Sequence, residues 1–321
     1  MKYLFIIIAA ISLLLVSCNY TGWAIIGGVS KKTASKNLAA FLKENYPKLD
    51  YKNVKRFFNS GNMNPNMFMT EVYETNRPEV SFTVFFDAKK IVGTTDIPSQ
   101  YPDGPSFSEI YKKQIIHADS MLELEHQLKK YSVRITTESY STLILNFEKE
   151  TTENEIRLAT EQCIIGLNKL SNGLNFHSNI ALKIRDTERE FDWLLFIVNK
   201  NIDNYSIQSV RCDKESLRFK ELKNFAHKYL IAQTPEGEEL KPQENTLEAV
   251  VNPNDYSALS LIQFYDPKTK PNTPKNFIRA IGYKVGKITV NKRIDLIEQQ
   301  YYPLPSNMGY SQVVNSIYAD F

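Results

Sequence analysis

Apolar residues fall along this chain in three rhythms, and each predicts a different kind of element. The first is an almost unbroken run from Leu4 to Val16, set between Met1-Lys2-Tyr3 and Ser17-Cys18. It is short for a bilayer span, which takes roughly 20 residues. One basic charge before the run and a small residue after it complete the three parts of a secretory signal.

The second rhythm is helical. Leu38, Phe41, Leu42 and Tyr46 recur at helical spacing behind Ser35 as a cap, and Pro47 stops the helix. A longer helix is expected over about Phe107 to Lys130. Another opens at the capping box Thr152 and Glu155, carries Ile156, Ala159, Cys163, Leu167 and Leu170 on one face, and ends near Gly173. The last expected helix, about Ser216 to Ile231, aligns Leu222, Phe225, Ala226 and Tyr229.

The third rhythm is that of strands, rich in β-branched and aromatic residues. It predicts strands at Tyr51 to Phe58, Met67 to Glu74 and Val80 to Asp87, then a hairpin in which Val133 and Ile135 face Leu143, Leu145 and Phe147. Further strands follow at Ile180 to Arg185, Trp193 to Val198, Ser206 to Cys212, Leu247 to Val251, Ala258 to Tyr265, Phe277 to Tyr283 and Lys287 to Ile294. Four times a helix precedes two to four strands. The expected class is therefore α+β: helices layered on antiparallel sheets in recurrent helix-then-meander units. Such sheets bury one face under helices and leave the other partly open for an interaction.

The proline- and glycine-containing stretch 93–106 marks a linker, and the acidic stretch 234–246 a loop. The folded regions expected from these breaks are a small α+β unit at 35–92, an α+β domain at 107–212 and a C-terminal α+β domain at 213–321.

The end of the first apolar run is more specific than an average export signal. Leu15-Val16-Ser17-Cys18 resembles the lipobox of bacterial lipoproteins. That resemblance implies cleavage before Cys18 and lipid attachment to it, so that 1–17 is the signal peptide and 18–34 a lipidated tether. Two or more acyl chains hold a protein stably on a membrane where one holds it marginally. Asn19 does not resemble the aspartate that retains enteric lipoproteins in the inner membrane, which implies an outer-membrane location facing periplasm or surface. The same residues also admit a tilted transmembrane anchor reaching Val29, or an ordinary cleaved signal.

Composition narrows the partners. With 39 basic and 36 acidic residues the chain carries +3, or +2 without Lys2, and the charge is scattered, which excludes the basic stripe that nucleic acid requires. Lys31, Lys32 and Lys36 cluster ahead of the first helix, either as a solvated group or as one near anionic headgroups. With Cys18 lipidated, Cys163 and Cys212 are left for one possible disulfide; the alternative is two buried thiols.

Catalytic signatures are missing from the sequence: it contains no Gly-x-Ser-x-Gly, His-Glu-x-x-His, Cys-x-x-Cys or Gly-x-Gly-x-x-Gly. Gly282 to Lys287 superficially suggests a phosphate loop but reads better as a hairpin turn. Among the four histidines the richest surroundings are at His117. There Asp119, Glu123 and His126 share a helix face, with Glu-x-x-His as in di-iron bundles, but no second such pair is present. These three are weak metal candidates against a solvated charged face. No cofactor is expected. Tyr301, Tyr302 and the tail to Phe321 suit either a partner-binding strip or a segment packed over a core edge.

The expected function is a lipid-anchored cell-envelope protein, a non-catalytic binding or assembly module, with the membrane and a protein as partners. The alternatives are an envelope hydrolase with a non-contiguous active site, and a protective protein that sequesters a toxic effector.

Overall fold

The computed structural model describes residues 28–57, 64–174, 176–202, 204–231, 240–243, 246–267, 282–290, 294–303 and 309–321. Cys18, the expected signal segment and the expected tether up to residue 27 lie outside them, as do residues 59–62, residues 277–281 of the strand expected at Phe277 to Tyr283 and most of the loop expected at 234–246. By internal contacts the chain forms two units, Met1–Ser120 and Met121–Phe321.

The first unit contains α1 (Lys31–Asn45), β1 (Leu49–Tyr51), β2 (Lys55–Arg56), β3 (Met67–Glu74), β4 (Arg77–Asp87) and the start of α2 (Phe107–Leu128). The helix α1 begins one turn earlier than expected because Ser30 caps it, its hydroxyl accepting from the Thr33 amide at 3.1 Å. The single strand expected at Tyr51 to Phe58 is two short ones: Val54, 1% exposed, turns into the core between β1 and β2. Both pair antiparallel with β3, whose other edge pairs with β4. Alternation does the rest, placing Phe68 and Val72 of β3 and Phe82, Val84 and Phe86 of β4 in one core with Ala34, Leu38, Phe41 and Leu42 of α1.

The stretch 93–106 is not a free linker but part of this unit. Asp96 accepts from the Ser108 amide at 2.9 Å and from its hydroxyl at 2.7 Å, the Phe107 amide donates to Ile97 O at 2.8 Å, and Ile97 and Phe107 are buried. The division between the units falls inside α2 instead.

The second unit holds the rest of α2, then β5 (Val133–Ser139), β6 (Thr142–Phe147), α3 (Glu153–Lys169), β7 (Asn179–Arg185), β8 (Leu194–Asn201), β9 (Asn204–Cys212) and α4 (Leu217–Ala226). There follow β10 (Leu240–Pro242), β11 (Glu248–Asn252), β12 (Asp255–Pro267), β13 (Gly282–Val290), β14 (Ile294–Pro303) and α5 (Tyr310–Ala319). The capping box is as read: the Glu155 amide donates to Thr152 Oγ1, and the Thr152 amide to Glu155 Oε2.

These strands form one ten-stranded sheet in the order β14-β13-β12-β11-β9-β8-β7-β6-β5, with β10 also on β12. The expected boundary at 212/213 is thus bridged by a ladder, Val250 of β11 pairing with Arg211 of β9. The sheet is mixed rather than purely antiparallel, since β6 and β7 run parallel, joined through α3 as a parallel pair requires. The class is α+β with a large, mostly antiparallel sheet.

Towards the C-terminus one expectation fails and another is refined. Gly282 to Lys287 is not a turn but the first part of β13, where Tyr283 and Val285 are buried on alternate positions. The tail, expected either to pack over a core edge or to bind a partner, packs as the helix α5. Its residues Val313 and Val314 pack with Val250, Ile262, Phe264, Tyr283 and Val285.

The two faces of the sheet differ in chemistry. One contributes Leu145, Ile184, Phe196, Val210, Leu259, Leu261 and Ile288 to a core shared with Leu124 and Leu128 of α2, Ile156, Cys163 and Leu167 of α3, and Phe219 and Leu222 of α4. On the other face the ladders align Thr136, Ile144, Lys183, Leu195, Arg211, Val250, Ser260, Lys287 and Glu298 in one row across nine strands. The helix α5 packs on β9 and β11.

Candidate functional site

The polar part of that row opens into a groove in the second unit, with a volume of about 500 Å³. It is built from the ends of β5, β6, β7 and β9, the connection from β7 to β8, and the first turn of α4. The central cation is Lys183, on β7. Its ammonium lies 3.3 Å from Glu138 Oε2, 3.7 Å from Glu215 Oε2 and 3.8 Å from Asp213 Oδ2. Burial pulls the Lys183 pKa down, but Asp213, Glu138 and Glu215 together outweigh it, and the net shift is upward. The ammonium is therefore charged throughout the neutral range.

The β7–β8 connection forms one wall. The amide of Asp186 donates to Asp192 Oδ1 at 2.9 Å, the Phe191 amide donates to Asp186 Oδ2 at 3.4 Å, and Trp193 Nε1 donates to Glu190 O at 2.8 Å. Arg189 takes a left-handed backbone at φ 59°, an uncommon conformation for a non-glycine residue. Burial raises the Asp186 carboxyl above its ordinary range, and Asp192 beside it adds to the rise. Arg185, Arg189 and Glu190 stand exposed on this wall.

The opposite wall is the start of α4. Ser216 caps the helix by accepting from the Phe219 amide at 3.1 Å, while its hydroxyl donates to Asp213 O at 2.6 Å. That hydroxyl is committed to fold rather than free as a nucleophile. Arg218 pairs with Glu221 at 3.0 Å, and Leu217, 77% exposed, leaves an apolar side chain on the rim. Among the described residues neither imidazole nor thiol lines the groove. Such a site can recognise charge of both signs beside a few apolar groups.

The residues singled out from sequence lie elsewhere. Asp119, Glu123 and His126 are exposed on α2; Asp119 accepts from Arg77 Nη2 at 2.6 Å, and Glu123 from Gln127 Nε2 at 3.0 Å. Among the described residues no group of three or more His, Cys, Asp and Glu is placed to hold a metal ion. His117 is half-buried and its pKa is lowered by burial, while His177 and His227 are exposed.

The possible disulfide does not form: Cys163 and Cys212 are separate free thiols, both buried. Cys163 faces the core from α3 and Cys212 from β9, and burial pushes each thiol up to about 12. Lys183 and Arg189 were missed in sequence because the groove is assembled from six segments, and only alternation on Ile180 to Arg185 hinted that Lys183 and Arg185 share a face.

Two smaller cavities, about 220 and 200 Å³, flank Ile97 to Gln100 in the first unit. Among the described residues no helix is long and apolar enough to cross a membrane. No family model matches this chain, and no curated protein or solved structure matches it.

Proposed function

We propose that this chain is a lipid-anchored protein of the bacterial cell envelope, held through Cys18 and facing periplasm or surface from the outer membrane. In this reading it is a binding module whose second unit takes a charged segment of a partner protein in the groove around Lys183. The anchor rests on Leu15-Val16-Ser17-Cys18 behind its apolar run. The binding role is carried by one observation: the groove presents Arg185, Arg189 and Glu190 beside Leu217, while its one committed hydroxyl, on Ser216, serves as a helix cap. A site of mixed charge with an apolar rim suits recognition of a polypeptide more than bond cleavage. Sequestration of a toxic effector is a special case of the same reading.

The test is capture of envelope proteins on the solubilised full chain, with and without Arg185→Glu and Arg189→Glu. Both side chains are exposed, so the double variant should keep the melting temperature. A partner retained by the native chain and lost by the variant supports the groove; equal capture by both sinks it. The hydrolase reading has one observation in its favour: Asp192 lines the groove, and the buried Asp186 carboxyl beside it is raised.

A further inference from the structure

Helix α1 has two sharply different sides. Ala34, Leu38, Phe41 and Leu42 face the core of the first unit. At 100° per residue, Lys32, Lys36 and Lys43 fall on the opposite side, interleaved with Ala39 and Ala40, and all five are exposed. Lys31, at the first helical position, is exposed but falls about 140° round the helix from Lys36, towards the buried side.

The placement of two of these lysines is locally unfavourable. The first turn contains no acidic residue, and Lys31 and Lys32 there oppose the positive end of the helix dipole. None of the four lysines makes an ion pair with a described residue. On this face Lys32 stands against the dipole and Lys43, in the last turn, with it, and the exposed positive charge is open to an external anion.

Chain length says which anion. Cys18 is ten residue steps from Gly28, and at no more than about 3.6 Å per step the first described residue lies within about 36 Å of the anchor point. The amino end of α1 is also where the chain enters the fold: Arg56 Nη2 donates to Val29 O at 2.8 Å, and Arg56 Nη1 donates to Pro65 O, so this end is tied to β2 and cannot swing free. Tyr51 Oη donates to Ser35 O at 3.2 Å, tying the next turn to β1.

We infer that the Lys32, Lys36 and Lys43 face of α1 lies on the anionic headgroups of the membrane that holds Cys18. The inference rests on the lipid-anchor reading above and adds to it a second, electrostatic contact that sets how the first unit meets the bilayer. A lipid chain together with a basic patch is the pair of signals that makes membrane attachment stable.

The experiment uses the full chain with vesicles of phosphatidylcholine alone and of phosphatidylcholine with 30% phosphatidylglycerol. Flotation on the neutral vesicles reads the acyl anchor, which needs no headgroup charge. Acetylation of individual lysine amines, read by mass spectrometry, reports the α1 face. Lys32, Lys36 and Lys43 should react at least about threefold more slowly on the anionic vesicles, Lys149 and Lys214 equally on both, and 0.5 M salt should abolish the difference. Lys32→Glu with Lys36→Glu should weaken the anionic contact by about thirtyfold. The same pair of changes improves the helix dipole, so its melting temperature should hold or rise.

Flotation on neutral vesicles with equal reactivity on both kinds overturns the inference and leaves the anchor standing. Flotation only on anionic vesicles, with the three amines protected, supports the inference and removes the anchor. Neither flotation nor protection removes both.

Discussion

Glu155 shows how much one side chain does at a helix start. Its carboxylate accepts from Lys149 Nζ at 2.9 Å and from the Thr152 amide at 2.9 Å, and these bonds, the lysine's first, hold its pKa down to about 2. A carboxylate depressed in the folded state adds stability above its ordinary pKa, and that contribution is lost as pH falls towards 2. Glu155→Gln should therefore flatten the loss of melting temperature between about pH 4.5 and 2. Thr152→Ala, which removes the other half of the box, should cost about 1 kcal/mol at neutral pH. Asp186 has the opposite sign. Its raised carboxyl favours the protonated fold, so its stabilisation is present at low pH and is lost as pH rises through the raised value. Asp186→Asn keeps the size and an acceptor for the Phe191 amide without the buried charge. It should raise the melting temperature at pH 7 and leave it unchanged at pH 3; a fall at pH 7 would show that the charged form is what the loop needs. The capping box was legible because its partners lie three residues apart. The Asp186 environment was not, because burial at 6% exposure is conferred by Phe191 and the strands around it.

At the scale of elements, local pattern located most helices and strands and failed where packing decides. Strands β3, β6 and β7 and helix α2 lie within a residue or two of their periodic segments, while α3 starts where expected and ends at Lys169, short of Gly173. The error at Gly282 to Lys287 came from treating two glycines as punctuation. Between β12 and β14 they are tolerated because Gly286 sits opposite Leu261 and Gln299, in a strand paired on both edges. The helix α5 was legible in principle: Tyr310, Val313, Val314, Ile317 and Tyr318 follow helical spacing, and aromatic content drew attention from it. Gly166 is the element-scale case where a close approach requires glycine. A Cβ there would lie 2.4 Å from Leu124 Cδ1, and Leu124 is fully buried, so α2 and α3 can close only over a bare Cα. Gly166→Ala gains about 1 kcal/mol of helix propensity and should still destabilise by about 1–3 kcal/mol through overpacking. Urea unfolding measures the balance, and a stabilised variant would mean that Leu124 moves aside freely.

For the whole molecule the thiols offer a single count that tests both fold and anchor. Cys163 and Cys212 are buried with pKa values near 12, so the native protein should not react with a maleimide. Unfolded without reductant, the chain should yield two reactive thiols if Cys18 is acylated and three if it is not. One or none would revive the Cys163 to Cys212 bond. Fatty-acid labelling of the Cys18→Ala variant should be lost in parallel. The division into units is also a property of the whole. Prolines and glycines at 93–106 look like a hinge in one dimension, yet Asp96 and Ile97 bind the segment to the start of α2. Trypsin and chymotrypsin should consequently cut this stretch no faster than other exposed loops.

By itself the sequence determined what short-range physics controls: a leading apolar run ending in Cys18, the periodic helices and strands, the Thr152 cap and the α+β class. Each depends on residues within about one or two turns of one another, where spacing alone dictates which side chains meet. Tertiary structure alone decided that β5 to β14 join in one mixed sheet, that two cysteines on one core stay apart, and that Lys183 gathers Glu138, Asp213 and Glu215 around it. Those outcomes turn on register between distant strands. Register is set by the sum of many weak side-chain contacts across the sheet, and no local stretch of sequence contains that sum.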